Sequence, residues 1–344
     1  MNPLGTLEEL PQAYRDELVA ANLVPLWPNL RALLPPGSPA SATTVTHWSW
    51  QAIRPLLLRA GELTPMKKAE RRVLVLANPG RGLDNLQASS VIYLGMQLVL
   101  PGEVAPNHRH TPNAARIVVE GQAACTIVDG VKCAMEPGDL ILTPTGLWHE
   151  HRHEGEGPMI WLDVLDLPLM VYLDRSYVIE GRPQQPRPSP SAYRAGGMVP
   201  TRHGGRSVDE YPLLHYEWRE ARRALEVLAA GMPAAEVVEL AYVNPETGGA
   251  PLNTLAFSAL MLRPGQDAAL ARISAARVFH VVQGAGGATI GDKTLGCAIA
   301  DTFCAPGGAA IRLANASAHE PLFLISADES PVQRKLGVFE RWDA

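Results

Sequence analysis

Apolar and polar positions change rhythm several times along the 344 residues. Over residues 7–24 and 50–60, Leu, Val and Ala recur at helical spacing between prolines, which predicts short helices. From about residue 73 the chain breaks into short runs rich in Val, Ile and Leu, divided by Gly and Pro: "RRVLVLANPG", "SSVIYLGMQLVL", "ARIVVEGQAACTIVDG", "GDLILTPTG" and "MIWLDVLDL". These predict strands of an antiparallel sandwich or small barrel. Residues 181–207 are rich in Pro and Gly and predict a linker, followed by an Ala-rich helix over about 217–231. The β rhythm then returns in "LNTLAFSALML", "ARVFHVVQGAGGATIG", "DTFCAPGGAAIRL" and "PLFLISAD".

The second β region reads as a copy of the first. Pro264-Gly265 matches Pro101-Gly102, Gly284 falls on Gly121, and Pro306 falls on Pro144 with a one-residue gap. In this register Ala271 and Ile273 occupy the places of His108 and His110, Ile311 that of His149, and Phe279 that of Arg116. The copy keeps the scaffold and loses the histidines.

Composition narrows the function classes. The net charge of −5 offers no general attraction to nucleic acid or to an anionic membrane. No apolar run is long enough to span a bilayer, and the N-terminus lacks the pattern of a signal peptide. Cys125, Cys133, Cys297 and Cys304 show no C-x-x-C spacing, which predicts buried free thiols and a cytoplasmic protein.

Five histidines (His108, His110, His149, His151 and His153) fall between residues 108 and 153. On a strand, His108 and His110 point to one face, because side chains alternate with a period of two. Gly102 precedes the pair, Gly121 follows it, and Gly138, Pro144 and Gly146 lead to His149. This spacing resembles the paired motifs of the cupin superfamily. Cupins often place a glutamate ligand after the H-x-H pair, and here that slot holds Ala114. Three neutral imidazoles suit Fe, Zn, Cu or Ni and leave positions open for a chelating anion. Arg116 lies at even spacing from His110 and should face the same interior, where its guanidinium needs an anion. Arg71 and Arg72 are alternative second clamps, and Gln97 lines the same barrel. His151, two steps from His149, is a candidate proton carrier with Asp163 as its orienting partner. His153 reads as a solvated loop residue, His47, His203, His215, His280 and His319 as structural, and Trp148 and Trp161 as core.

Taken together, "ERRVLVLANPG", "GMQLVLPGEVAPNHRH", "ARIVVEG", "MEPGDLILTPTGLWHEH" and "WLDVLDLPL" resemble the gentisate 1,2-dioxygenase family, which includes salicylate and 1-hydroxy-2-naphthoate dioxygenases. The resemblance implies a mainly β bicupin: two double-stranded β-helix (jelly-roll) barrels with N-terminal and inter-domain helices. Its expected divisions are an N-terminal helical segment (1–70), a metal-binding cupin (71–180), a linker and helix (181–235) and a degenerate metal-free cupin (236–344). It further implies one Fe(II) per subunit on His108, His110 and His149, with Arg72, Arg116 and Gln97 binding substrate and His151 and Asp163 assisting catalysis. Tyr93 and Gly95 would line the substrate pocket, although relatives usually carry Trp-Ala where Tyr93-Leu94 stand. The implied partners are O2 and a small aromatic ortho-hydroxy carboxylate, gentisate or a salicylate, in a homo-oligomer that is tetrameric by resemblance. Two alternatives are a cupin binding module and a zinc or manganese isomerase. Residues 1–70 show no basic helix-turn-helix signal of a sensor, and such isomerases generally keep the glutamate that Ala114 replaces.

Overall fold

The computed structural model describes residues 4–183, 185–187, 193, 199, 211–234 and 236–342, so most of the expected 181–207 linker lies outside the described residues. Residues 1–42 and 43–344 form two compact units. In the first, the helix expected over 7–24 is confined to Gln12–Ala20, entered from Pro11 and left through Asn22 at a left-handed φ of 55°.

Residues 43–344 contain two antiparallel β barrels, each made of two sheets. One sheet of the first barrel runs His215–Tyr216, Leu140–Thr143, Ala114–Glu120, Met159–Leu165, Tyr93–Val99 and Val73–Val75. Its partner sheet runs Val178–Glu180, Val104–His110, His149–His153, Ala124–Val128 and Val131–Met135. The second barrel repeats the plan: adding 163 to Tyr93–Val99, Ala114–Glu120 and Met159–Leu165 yields its strands Ala256–Leu262, Arg277–Gln283 and Leu322–Asp328. The repeated glycines have one cause. Gly121 (φ 112°) and Gly284 (φ 87°) sit where a Cβ would lie 2.6 Å from the Pro158 carbonyl oxygen and 2.7 Å from that of Pro321.

The six-stranded sheets of the two barrels share one apolar cluster. It joins Leu94, Met96, Ile117 and Leu162 of the first barrel to Phe257, Val278, Phe323 and Ile325 of the second. Each fully buried Leu, Ile or Phe contributes roughly 2 kcal/mol there.

The barrels also exchange strands, which the run-by-run reading did not anticipate. Thr46–Trp48 joins the second barrel's sheet, although it precedes the first barrel in the chain, and His215–Tyr216 joins the first. A 14-residue helix follows each, Trp50–Leu63 and Trp218–Gly231. Both helices are anchored alike. Asp301 accepts the Trp50 N–H at 2.7 Å and pairs with His47 Nε2 at 2.9 Å. Asp139 accepts the Trp218 N–H at 2.8 Å and pairs with His215 Nε2 at 2.7 Å. The H-x-x-W spacing of "HWSW" and "HYEW" was the available signal.

The barrels differ inside. Where the first has Gln97, Arg116, Thr126, His149, His151 and Trp161, the second has Leu260, Phe279, Ala288, Ile311, Leu313 and Leu324. Phe279 stacks on Phe303 with ring centroids 4.9 Å apart, filling the second barrel. All four cysteines are buried and free, and among the described residues no helix is long and apolar enough to cross a membrane.

His280 faces away from that filled interior, its Nδ1 3.0 Å from the Thr302 hydroxyl. Burial pushes its pKa down to about 4. The unfolded chain therefore takes up a proton near pH 6.5 that the folded chain refuses until about pH 4, so stability present above pH 6.5 declines as pH falls through this window. Between pH 7 and pH 5 a His280→Gln variant is expected to lose about 2 kcal/mol less unfolding free energy than the wild type, measured by urea denaturation.

Candidate metal centre and active site

The strands Val104–His110 and His149–His153 are paired, with His108 opposite His149. Their alternation turns His108, His110 and His149 to the inside of the first barrel, where ring centroids are 4.1 Å (108–149), 4.8 Å (110–149) and 5.4 Å (108–110) apart. One nitrogen from each lies within 4.8 Å of the others, a group that can hold a metal ion.

The hydrogen bonds select the nitrogen. Nδ1 of His108 lies 3.0 Å from the Pro106 carbonyl oxygen, Nδ1 of His110 2.7 Å from that of Pro112, and Nδ1 of His149 3.0 Å from that of Leu147. A carbonyl oxygen only accepts, so Nδ1 of His110 and of His149 carries the proton and Nε2 keeps its lone pair for a ligand; His108 reaches the same tautomer when its Nδ1 donates to Pro106 rather than accepting from Arg71. Nε2 of His149 is buried and finds no hydrogen-bond partner among the described residues. Burial first, then the charge of Arg71, holds the His108 pKa down at about 3; burial and Arg116 hold His110 at about 4 and His149 well below its ordinary value. All three rings are neutral at pH 7, as metal ligands must be. Ala114 is fully buried and offers no fourth ligand. The donor set fits a divalent transition metal with open coordination positions.

Around the histidines lies a buried polar shell. Arg116 forms an ion pair with Asp163 at 3.2 Å and donates from Nη1 to the Thr143 hydroxyl at 2.8 Å. Burial raises the Asp163 pKa, against the opposing pull of Arg116 and the Trp161 indole N–H. The expectation that Asp163 orients His151 is not what the structure shows: His151 Nδ1 is held at 2.9 Å by the Thr126 hydroxyl, and Asp163 is engaged by Arg116. His151 Nε2 and Gln97 Nε2 are buried without a partner among the described residues. The His151 ring is 5.9 Å from that of His149 and 4.9 Å from Trp161, which is thus part of the site wall as well as core. Tyr93 folds back over Gly95, where a Cβ would lie 2.7 Å from its hydroxyl and 2.6 Å from Val73. Burial, then the nearby Asp163, raises the Tyr93 phenol and keeps it protonated.

The arginine brought to the histidines is Arg71, and the expected role of Arg72 as clamp does not match its position. Val73 pairs with Gln97 and contacts Gly95, so Arg71, two residues earlier, shares the inward face. Its Nη2 lies 2.5 Å from His108 Nδ1, a contact that excludes the Pro106 bond, since Nδ1 either accepts from Arg71 or donates to the carbonyl. Arg72 turns the other way and is bound to Glu103 at 2.5 and 2.6 Å. Thr126, Thr143 and Trp161 escaped the sequence reading because their types occur throughout β proteins and only the folded barrel shows them facing inward.

Fold and site together define a cupin: residues 95–165 match the cupin domain family. Over 339 residues the chain is 59% identical to a gentisate 1,2-dioxygenase from Ralstonia sp, covering 98% of this chain and 96% of that protein. It is 32% identical to the 5-aminosalicylate 1,2-dioxygenase of Comamonas sp, covering 98% and 92%. The crystal structure of salicylate 1,2-dioxygenase from Pseudoaminobacter salicylatoxidans with gentisate superimposes with a TM-score of 0.88 at 31% identity, covering 100% of this chain and 96% of that one. The chain belongs to the gentisate 1,2-dioxygenase family.

The two neighbouring arginines separate in experiment. Arg72→Met removes a buried partner of Glu103 and is expected to lower stability by about 3 kcal/mol in chemical denaturation, whereas Arg71→Met leaves the denaturation midpoint near that of the wild type.

Proposed function

We propose that this protein is an Fe(II)-dependent dioxygenase that opens the ring of gentisate or a 5-substituted or plain salicylate between the carboxyl- and hydroxyl-bearing carbons, incorporating both atoms of O2. The observation that carries this reading is a neutral three-histidine group within reach of one metal ion, flanked by two arginines against one aspartate. Two guanidinium charges less one carboxylate leave one net positive charge beside the three neutral imidazoles. The site is therefore built for an anion, and an ortho-hydroxy carboxylate offers two adjacent oxygens for chelation.

Bound to the three imidazoles, a ferrous ion would supply acidification of the chelated phenol and the redox chemistry that engages O2. The remaining work falls to the chain. Arg71 exchanges its His108 contact for the substrate carboxylate, freeing Nδ1 for Pro106. Arg116, held by Asp163 and Thr143, presents a second fixed positive charge to the barrel interior. His151, with Nδ1 occupied by Thr126, turns Nε2 toward the reacting oxygens, where it can accept the phenolic proton. Gln97, Tyr93 and Gly95 bound the ring, and the barrel walls exclude water.

On this reading residues 71–180 are the metal-binding cupin and 236–344 the metal-free one, separated by the linker and helix of 181–235 and preceded by the helical segment of 1–70. The protein is a homo-oligomer acting in the cytoplasm on small molecules. The exposed apolar residues Val171, Tyr172, Leu173, Tyr177 and Val178 support self-association.

The test is anaerobic reconstitution with Fe(II), then oxygen-electrode assays with gentisate, salicylate, 5-aminosalicylate and 1-hydroxy-2-naphthoate. Stoichiometric O2 uptake with loss of the aromatic absorbance is expected for at least one substrate, with gentisate first. His149→Ala should abolish uptake, and Arg71→Met should raise KM about ten- to a hundredfold. No uptake with any of the four compounds overturns the reading.

A further inference from the structure

The turn that follows His110 and the turn that precedes His149 are tied together beside one buried carboxylate the reaction does not use. Asp166 follows the strand that bears Asp163 and is fully buried. Its Oδ1 accepts the Asn113 backbone N–H at 2.8 Å, and its Oδ2 accepts the Asn113 side-chain amide at 3.0 Å. Asn113 closes the turn after His110, whose Nδ1 is fixed by Pro112 one residue before it. The Asn113 Oδ1 in turn accepts the Thr145 N–H at 3.1 Å, in the Pro144-Thr145-Gly146 turn that leads to His149. The Gly146 N–H closes the circuit on the His110 carbonyl at 2.9 Å. One further donor comes from the other barrel: the Thr254 hydroxyl donates to Asp166 Oδ2 and lies 3.1 Å from the Asn113 amide.

We propose that Asp166, Asn113 and Thr254 are positioning residues of the metal centre, through which the metal-free barrel fixes the spacing between the His110 and His149 turns. The inference rests on the three-histidine metal reading and extends it to residues that touch neither metal nor substrate. The physical ground is that the pairing of the strands bearing His110 and His149 ends at His108 opposite His149, so His110 lies past the last paired residue and its distance from His149 is set by the turns joined there. A carboxylate with both oxygens engaged by three donors, in a site closed to water, holds those turns more stiffly than backbone contacts alone. It also explains what the filled barrel contributes beyond burying apolar surface: a hydroxyl at a fixed height against the ligand turns. No residue in this knot is a ligand, so its loss leaves the three imidazoles present and alters how well they converge.

The experiment compares wild type, Thr254→Val, Thr254→Ser and Asp166→Asn, each loaded with Fe(II) anaerobically and mixed with excess chelator. The expected result is first-order metal release about tenfold faster in Thr254→Val and faster still in Asp166→Asn, with Thr254→Ser restored to the wild-type rate. The apo forms are expected to unfold within a few degrees of the wild type, and in steady state kcat should fall more than KM rises. A general structural tie would instead lower apo stability and leave metal release unchanged. Wild-type release rates in both Thr254→Val and Asp166→Asn, from a wild type that does hold iron, overturn this inference and spare the ring-cleavage reading. A wild type that retains no Fe(II) overturns both.

Discussion

The site depends on three imidazole Nδ1 atoms that each lie against a backbone carbonyl within two residues of the ring. Because a carbonyl cannot donate, these contacts settle the tautomer of His110 and His149 and free their Nε2 lone pairs for a common centre, while burial and the neighbouring arginines make all three rings poor bases against the opposing pull of those carbonyls. Such an interior would be unstable if its polar atoms were left bare. The surrounding shell therefore pairs Arg116 with Asp163 and Thr143, and His151 with Thr126, and leaves Nε2 of His149, His151 and Gln97 without a partner among the described residues.

A polar barrel needs its stability from elsewhere, and the second barrel supplies it. Phe279, Phe303 and Leu324 pack the interior of that barrel, and the shared apolar cluster joins its six-stranded sheet to that of the histidine-bearing one. Strand exchange tightens the union, since Asp139 and Asp301 each seize a helix start and a histidine delivered by the segment that precedes the opposite barrel. Separating the barrels would break both sheets at their edges and strip both helices of their caps.

Much of this was legible beforehand for physical reasons. H-x-H on a strand has one geometric consequence, and glycines at Gly121 and Gly284 mark close approaches that no other residue tolerates. The decay of the second copy was visible as Ile311 for His149 and Phe279 for Arg116. The choice between Arg71 and Arg72 was not legible, because two adjacent residues leading into a short edge strand point oppositely and the pairing of Val73 with Gln97 decides which faces in. The partner of His151 was misjudged for a like reason. Thr126 stands opposite His151 on the neighbouring strand and takes its Nδ1, while Arg116 takes the carboxylate of Asp163.

Periodicity and turn chemistry act over a few residues, so the chain alone specified its β rhythm, its duplication and the three imidazoles that share a face. Which arginine meets them, which hydroxyl holds His151, and how Thr254 comes to rest against Asp166 depend on contacts between residues 25 to 88 positions apart. Those contacts form only once the sheets have chosen their register and the barrels have exchanged strands, and no local preference encodes that choice.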